Sequence, residues 1–219
     1  MEGPMKRLLY IIFIVILALS LSGCGDSSNI FFAEILSDQF VDGDIAFDPV
    51  LNSYTITNGP NTLFFGIDDA DFNVPEFRAF LDFPLDGSSG GDVLPLDAEI
   101  VSATLEVFVD EVSFAGTIPT LLDLVTYSIA GLTPADFDSP PLRFPDNTDA
   151  TISFDLFSSD EGNFVLIDVT SLMREIQRRG LADFQVRFIL DFVTDTGLVG
   201  IQDRPNVTVT APHLTVEFW

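Results

Sequence analysis

Cysteine and histidine occur once each in 219 residues. That excludes an internal disulfide framework, a multi-cysteine zinc centre and haem attachment through paired cysteines. Positive charge is nearly as scarce: Lys6 is the sole lysine, and nine Lys and Arg face 34 Asp and Glu, for a formal charge of −25. Without a cationic footprint to displace phosphate counterions, the chain is no nucleic-acid binder, and electrostatic adsorption to anionic lipid is equally disfavoured. Glutamate is outnumbered by aspartate, 9 to 25; Asp favours turns and caps where Glu favours helices, so the imbalance suggests a loop-rich β protein.

Apolar residues are abundant. Leu, Ile, Val and Phe make up 82 positions, enough for one folded domain with a real core despite the charge. Lys6 and Arg7 precede an apolar run from Leu8 to Leu19 and then small residues, the three regions of a secretory signal, too short for a good membrane span. Leu21-Ser22-Gly23-Cys24 follows and resembles the lipobox of bacterial lipoproteins. The resemblance implies cleavage before Cys24, lipid (palmitate among the acyl chains) on its sulfur, and anchoring of a secreted protein to a membrane. Several acyl chains on one residue anchor stably. Gly25 rather than Asp follows the cysteine, which under the lipoprotein sorting rule implies the outer membrane rather than the inner one. The alternative is an ordinary cleaved signal with an incidental cysteine. The expected division is 1–23 signal peptide, 24–37 lipidated cysteine and short tether leading into the first strand, and 38–219 one β-sandwich domain.

Period-two alternation recurs along the body, the mark of strands with one buried face. Phe77, Ala79, Leu81 and Phe83 alternate with Arg78, Phe80 and Asp82; Val101, Ala103, Leu105, Val107 and Val109 with Ser102, Thr104, Glu106 and Phe108; Leu214, Val216 and Phe218 with Thr215 and Glu217. The longest such run places Phe184, Val186, Phe188, Leu190 and Phe192 on the core face of a mid-sheet strand and Gln185, Arg187 and Asp191 on an open outer face. Shorter strands are expected at 54–57, 62–67, 121–129, 151–157, 163–169 and 207–210, between Gly, Pro, Asn and Asp clusters. One segment differs: Leu172, Met173 and Ile176 share a helical face, Thr170 or Ser171 can cap it, and Gly180 suits the position after its end, predicting a short helix over about 171–179. Thr133-Pro134-Ala135-Asp136 predicts a brief helical turn.

Glu76 to Phe83, Ile100 to Val107, Ile167-Asp168-Val169-Thr170-Ser171-Leu172 and the closing Pro212 to Val216 together resemble the DNRLRE-type domains of bacterial surface proteins, though the eponymous motif is missing. The resemblance covers about residues 40–219. It implies an all-β, antiparallel jelly-roll sandwich related to carbohydrate-binding modules.

Candidate sites are few. His213 stands at the start of the last strand, no Gly-x-Ser-x-Gly elbow occurs, and no pair of carboxylates stands out among so many, so no catalytic residue is selected and no enzyme is expected. The sequence leaves metal binding open. Asp42-Gly43-Asp44 and Asp68-Asp69-Ala70-Asp71 gather oxygens that suit calcium, but neither is an EF-hand loop, and solvated turns explain both; no other cofactor is indicated. Arg174, Arg178 and Arg179 form either a dock for acidic polysaccharide or a helix-end charge set with Glu175 pairing to Arg179. Tyr54, Tyr127 and Trp219 are the Tyr and Trp available for sugar stacking after the leader, while Phe80, Phe108 and Phe157 fall on the outer strand face. The expectation is a lipid-anchored, non-catalytic envelope module with a structural or binding role, its partner a polysaccharide or another envelope protein. A carbohydrate-binding module is the first alternative and a glycan-active enzyme the second. A concave face with a stacked aromatic and nearby carboxylates would mark the sugar binder, two convergent, partly buried carboxylates in a cleft the enzyme, and a smooth surface the structural role.

Overall fold

A computed structural model describes residues 29–59, 61–191, 196–203 and 210–219. The leader with Cys24, Phe192, and residues 207–209 of the expected strand at 207–210 lie outside the described residues. Among the described residues the strands are β1 (Phe31–Leu36), β2 (Gly43–Asp48), β3 (Ser53–Asn58), β4 (Asn61–Ile67), β5 (Glu76–Pro84), β6 (Ile100–Ser113), β7 (Thr117–Leu124), β8 (Thr151–Phe157), β9 (Asn163–Asp168), β10 (Asp183–Leu190), β11 (Gly197–Asp203) and β12 (His213–Phe218); an α-helix, α1 (Thr170–Arg179), lies between β9 and β10.

Every strand pairing is antiparallel, and the ladder runs β1-β12-β6-β11-β4-β5-β10-β7-β8, with β9 on β6 and the β2–β3 hairpin on β5. It curls into a sandwich with one main core, and α1 touches both β6 and β10. The curl needs a tight corner where β4 meets β11. There Gly66 (φ +105°) stands opposite Leu198, beside Gly197 (φ +131°), and a Cβ on Gly66 would stand 2.0 Å from the Gly197 carbonyl oxygen, so no side chain fits.

β10 sits in mid-sheet as its alternation predicts, between β5 and β7, with Phe184, Val186, Phe188 and Leu190 in the core. Phe83 packs on Phe184 and Phe65 on Phe188. The outer face departs from expectation. Gln185 and Arg187 are buried, because the segment after β7 leaves the sheet at Val125 instead of continuing as a strand to Ile129 and crosses over β5 and β10. Val125, Leu132 and Phe137 of this strap close a second apolar cluster with Ile45 and Phe80, which explains the out-facing Phe80. A short 3₁₀ turn at Pro134–Asp136 belongs to the strap, and the Thr133 N–H donates to Asp136 Oδ2 (2.7 Å).

Helix α1 ends as expected on Gly180 in the left-handed region. Its start differs. Val169 is the N-cap, the Thr170 N–H and hydroxyl donate to Asp168 Oδ1, and Thr170 Oγ1 accepts the Ala103 N–H, so the threonine fastens the helix to β6 rather than capping it. Glu175 accepts from both Arg178 and Arg179 (each 2.6 Å), and Arg174 donates to the Ile100 and Val101 carbonyls. These arginines have local partners, as the helix-end reading requires.

Candidate functional site

Among the sequence-selected residues, Asp42 and Asp44 are not solvated turn residues. Both are buried at the head of β2, where Asp44 Oδ2 accepts the Phe64 N–H (3.0 Å) across from β4. Asp68 to Asp71 do form an exposed turn whose carboxylates accept neighbouring backbone N–H groups. His213 lies at the start of β12, 4.0 Å from Glu106. Tyr127 belongs to the second apolar cluster, Tyr54 packs on Phe47 and Phe137, and Phe108 packs edge-on to Phe164. Trp219 and Phe157 are exposed singly.

The concave site takes in two of these residues, Asp44 and Asp68. A cleft of 740 Å³ opens at the β4–β11 corner, walled by Phe64, Phe77 and Phe114, with Asp44, Asp68 and Glu111 among its polar residues. Its volume falls within the range of small-ligand sites. Phe64 and Phe77 meet edge to face, 6.1 Å between centroids. Alternation places Phe77 inward with Ala79, but beside the Gly66 corner it sits outside the main core and joins the cleft. Gly200 on β11 leaves room for this wall: a Cβ there would stand 2.7 Å from Thr62 Cγ2 and 3.1 Å from Phe64 Cε1. Phe114 ends the wall at 46% exposure, with its backbone in the left-handed region (φ +68°), a conformation costly for an aromatic residue and usual only where the surroundings impose it. Thr62 lines the cleft as well and donates to Asp110 Oδ2 (2.8 Å).

The cleft is an apolar wall beside hydroxyl, amide and carboxylate groups, with no cationic side chain among the described residues that line it. Asp44 lies at its base only 1% exposed; burial raises its carboxyl to about pH 6 against the opposing Phe64 hydrogen bond. Burial also raises Asp82, on β5, to about 7. Both folded values lie above the unfolded range near 4. Their contribution to stability is therefore full below pH 4 and is lost as pH rises through about 6 to 7. In chelator-treated buffer the melting temperature should fall between pH 5 and pH 8, and Asp82→Asn should flatten that fall. A melting temperature that climbs over this range, or an unchanged slope in the variant, refutes the assignment.

Phe64, Phe77 and Phe114 were not singled out by sequence as one site, since the cleft exists only where two distant strands cross. A local hint is present in Phe114, an aromatic between Ser113 and Ala115-Gly116 where a turn residue is expected. No known protein family and no curated protein matches the chain.

Proposed function

We propose that the protein is a non-catalytic, lipid-anchored module of the cell envelope, held at the outer membrane through Cys24, and that the cleft at the β4–β11 corner binds a glycan. The observation that carries this reading is the cleft itself, where an aromatic wall stands beside Thr62, Asn61 and carboxylates able to orient sugar hydroxyls. Binding without catalysis fits Asp44, whose carboxylate is enclosed and engaged by the Phe64 N–H, leaving it poorly placed to deliver a proton to a glycosidic oxygen. The jelly-roll resemblance supports the same class by analogy of fold.

Affinity electrophoresis of the protein through a panel of neutral, amino and acidic polysaccharides tests the reading. One of them should retard it, and Phe114→Gly should weaken that retardation about tenfold, the loss of one stacked ring, without lowering the melting temperature, because glycine accepts the left-handed backbone. If no polysaccharide is bound, or the variant binds equally well, the cleft is not a glycan site and the structural role is left. The anchor is tested separately: mass spectrometry of the detergent-extracted protein should find an acylated N-terminal Cys24. A soluble chain with unmodified Cys24 removes the anchor from the proposal.

A further inference from the structure

The two ends of β6 have different surroundings. At one end Ser113 stands opposite Leu198, which lines the cleft. At the other, Ile100 stands opposite Phe218, where β12 finishes and β1 begins. Large apolar side chains are open to water at this second end: Ile30, Phe31, Phe32, Leu96 and Trp219 are between 42% and 67% exposed. They are neighbours. Phe31 pairs with Phe218, the two rings 5.8 Å apart, and Phe32 pairs with Glu217, so the next rung outward falls on Ile30 and Trp219. The Trp219 N–H donates to the Glu99 carbonyl (3.1 Å), which carries the β12–β6 pairing one residue further, and Leu96 borders a hollow with Ile100 and Arg174. Single exposed apolar residues are ordinary, whereas a contiguous group of them marks a surface that something covers.

Charge and chain length narrow down what covers it. The rim carries Glu34, Glu99 and Glu217, with Arg174 donating to the Ile100 and Val101 carbonyls as the cation nearby. Such a rim repels an anionic surface, and a second copy of so acidic a chain would be repelled as a whole. Six Cα steps separate Cys24 from Ile30, at most roughly 22 Å at full stretch. With acyl chains on Cys24, the apolar end therefore never leaves the neighbourhood of the lipid.

We propose that this end of the body docks on a zwitterionic lipid surface, with Phe31, Phe32, Leu96 and Trp219 seated in the interfacial layer beside the acylated cysteine. The inference rests on the lipid anchor proposed above and adds an orientation to it. Tryptophan and other aromatic side chains favour the level of the lipid headgroups, and apolar burial there needs no positive charge on the protein. Docking also places the cleft. β6 has 14 residues, a length of about 40 Å, so the body stands on its β1–β12 end and holds the cleft at the far end, facing away from the lipid.

Trp219 is the sole tryptophan of the chain, so its fluorescence reports on this end alone. The test adds the full chain, extracted from membranes in detergent, to phosphatidylcholine vesicles with and without brominated acyl chains. The protein should float with the vesicles, brominated lipid should quench most of the Trp219 emission, and aqueous iodide should quench little. Ile30→Asp with Phe32→Asp should still float, lose most of the quenching by lipid and become open to iodide, while melting in detergent as the unaltered protein does, since both side chains are exposed. Phe72→Asp, on the turn between β4 and β5 at the cleft end, should change nothing. Flotation with emission quenched by iodide and not by brominated lipid leaves the anchor standing and overturns the docking. Emission shielded from both quenchers overturns it as well, because another protein surface then covers the end. Unchanged lipid quenching in the double variant also refutes it. A chain that does not float removes the anchor and the docking together.

Discussion

Arg187→Ala lowers the stability of the protein by about 3 to 5 kcal/mol, the cost of removing one partner from a buried ion pair. Arg187 is 3% exposed, its Nη2 meets Asp123 Oδ2 at 2.6 Å, and its Nη1 donates to the carbonyls of Asp136, Phe137 and Ser139. Truncation strands the Asp123 charge beneath the strap, with the Thr151 hydroxyl still donating to it (2.7 Å), and leaves strap carbonyls without their donor. Arg187→Lys should recover little, because one ammonium cannot span a carboxylate and a row of carbonyls as a guanidinium fork does. Replacing the pair together by Arg187→Met and Asp123→Leu should cost far less than the single truncation, since no charge is left behind. Urea melts measure all three. A loss below about 0.5 kcal/mol for Arg187→Ala, normal for an open sheet face, means that the strap does not cover β10.

Phe188→Ala, one residue further on and facing the other way, should also cost about 3 to 5 kcal/mol as a core truncation. Its ring packs against Phe65 at 5.4 Å, and its strand neighbours in register are Ala79 and Leu122. Those neighbours are held in paired strands on both sides, so the walls of the cavity collapse little and the loss falls toward the upper end. Phe188→Leu should cost roughly half as much, because most of the volume stays filled. Two adjacent residues with equally large costs are the signature of a strand covered on both faces. A harmless Phe188→Ala would overturn the inner register.

How much of this was legible in the sequence depends on whether an element is covered on one face or two. β6 and β12 show their alternation because one face of each stays partly open to water, and α1 is visible from Leu172, Met173 and Ile176 with Gly180 beyond; β5 alternates although both its faces are buried, because Arg78 and Asp82 are polar. β11 reads Gly-Leu-Val-Gly-Ile-Gln-Asp and is buried almost throughout, so it carries no period, and its glycines suggest a loop. β2 follows Asp42 and begins on Gly43-Asp44, turn residues by composition, but Asp44 serves as a buried acceptor for β4. In β10 the inner set was legible and the outer was not: Gln185 and Arg187 look solvent-facing until a strap some fifty residues away supplies carbonyls to the arginine. The cleft was illegible for the same reason, since nothing local to Phe64 announces that Phe77 and Phe114 will stand beside it.

The pairing of β1 with β12 has a mechanical consequence. Phe31 stands opposite Phe218, and the ladder runs from there to Leu36 opposite His213, so the lead-in to the first strand and the tail of the last leave the body at the same end. Force applied between those two points loads the rungs in sequence, Phe31 first, and the strand peels like a zip at low tension. Force applied between the lead-in and the opposite end of the body loads all the rungs at once in shear, which resists far more strongly. A single-molecule pulling experiment with handles at Asn29 and Trp219 should therefore release β1 at a much lower force than one with handles at Asn29 and Asp110.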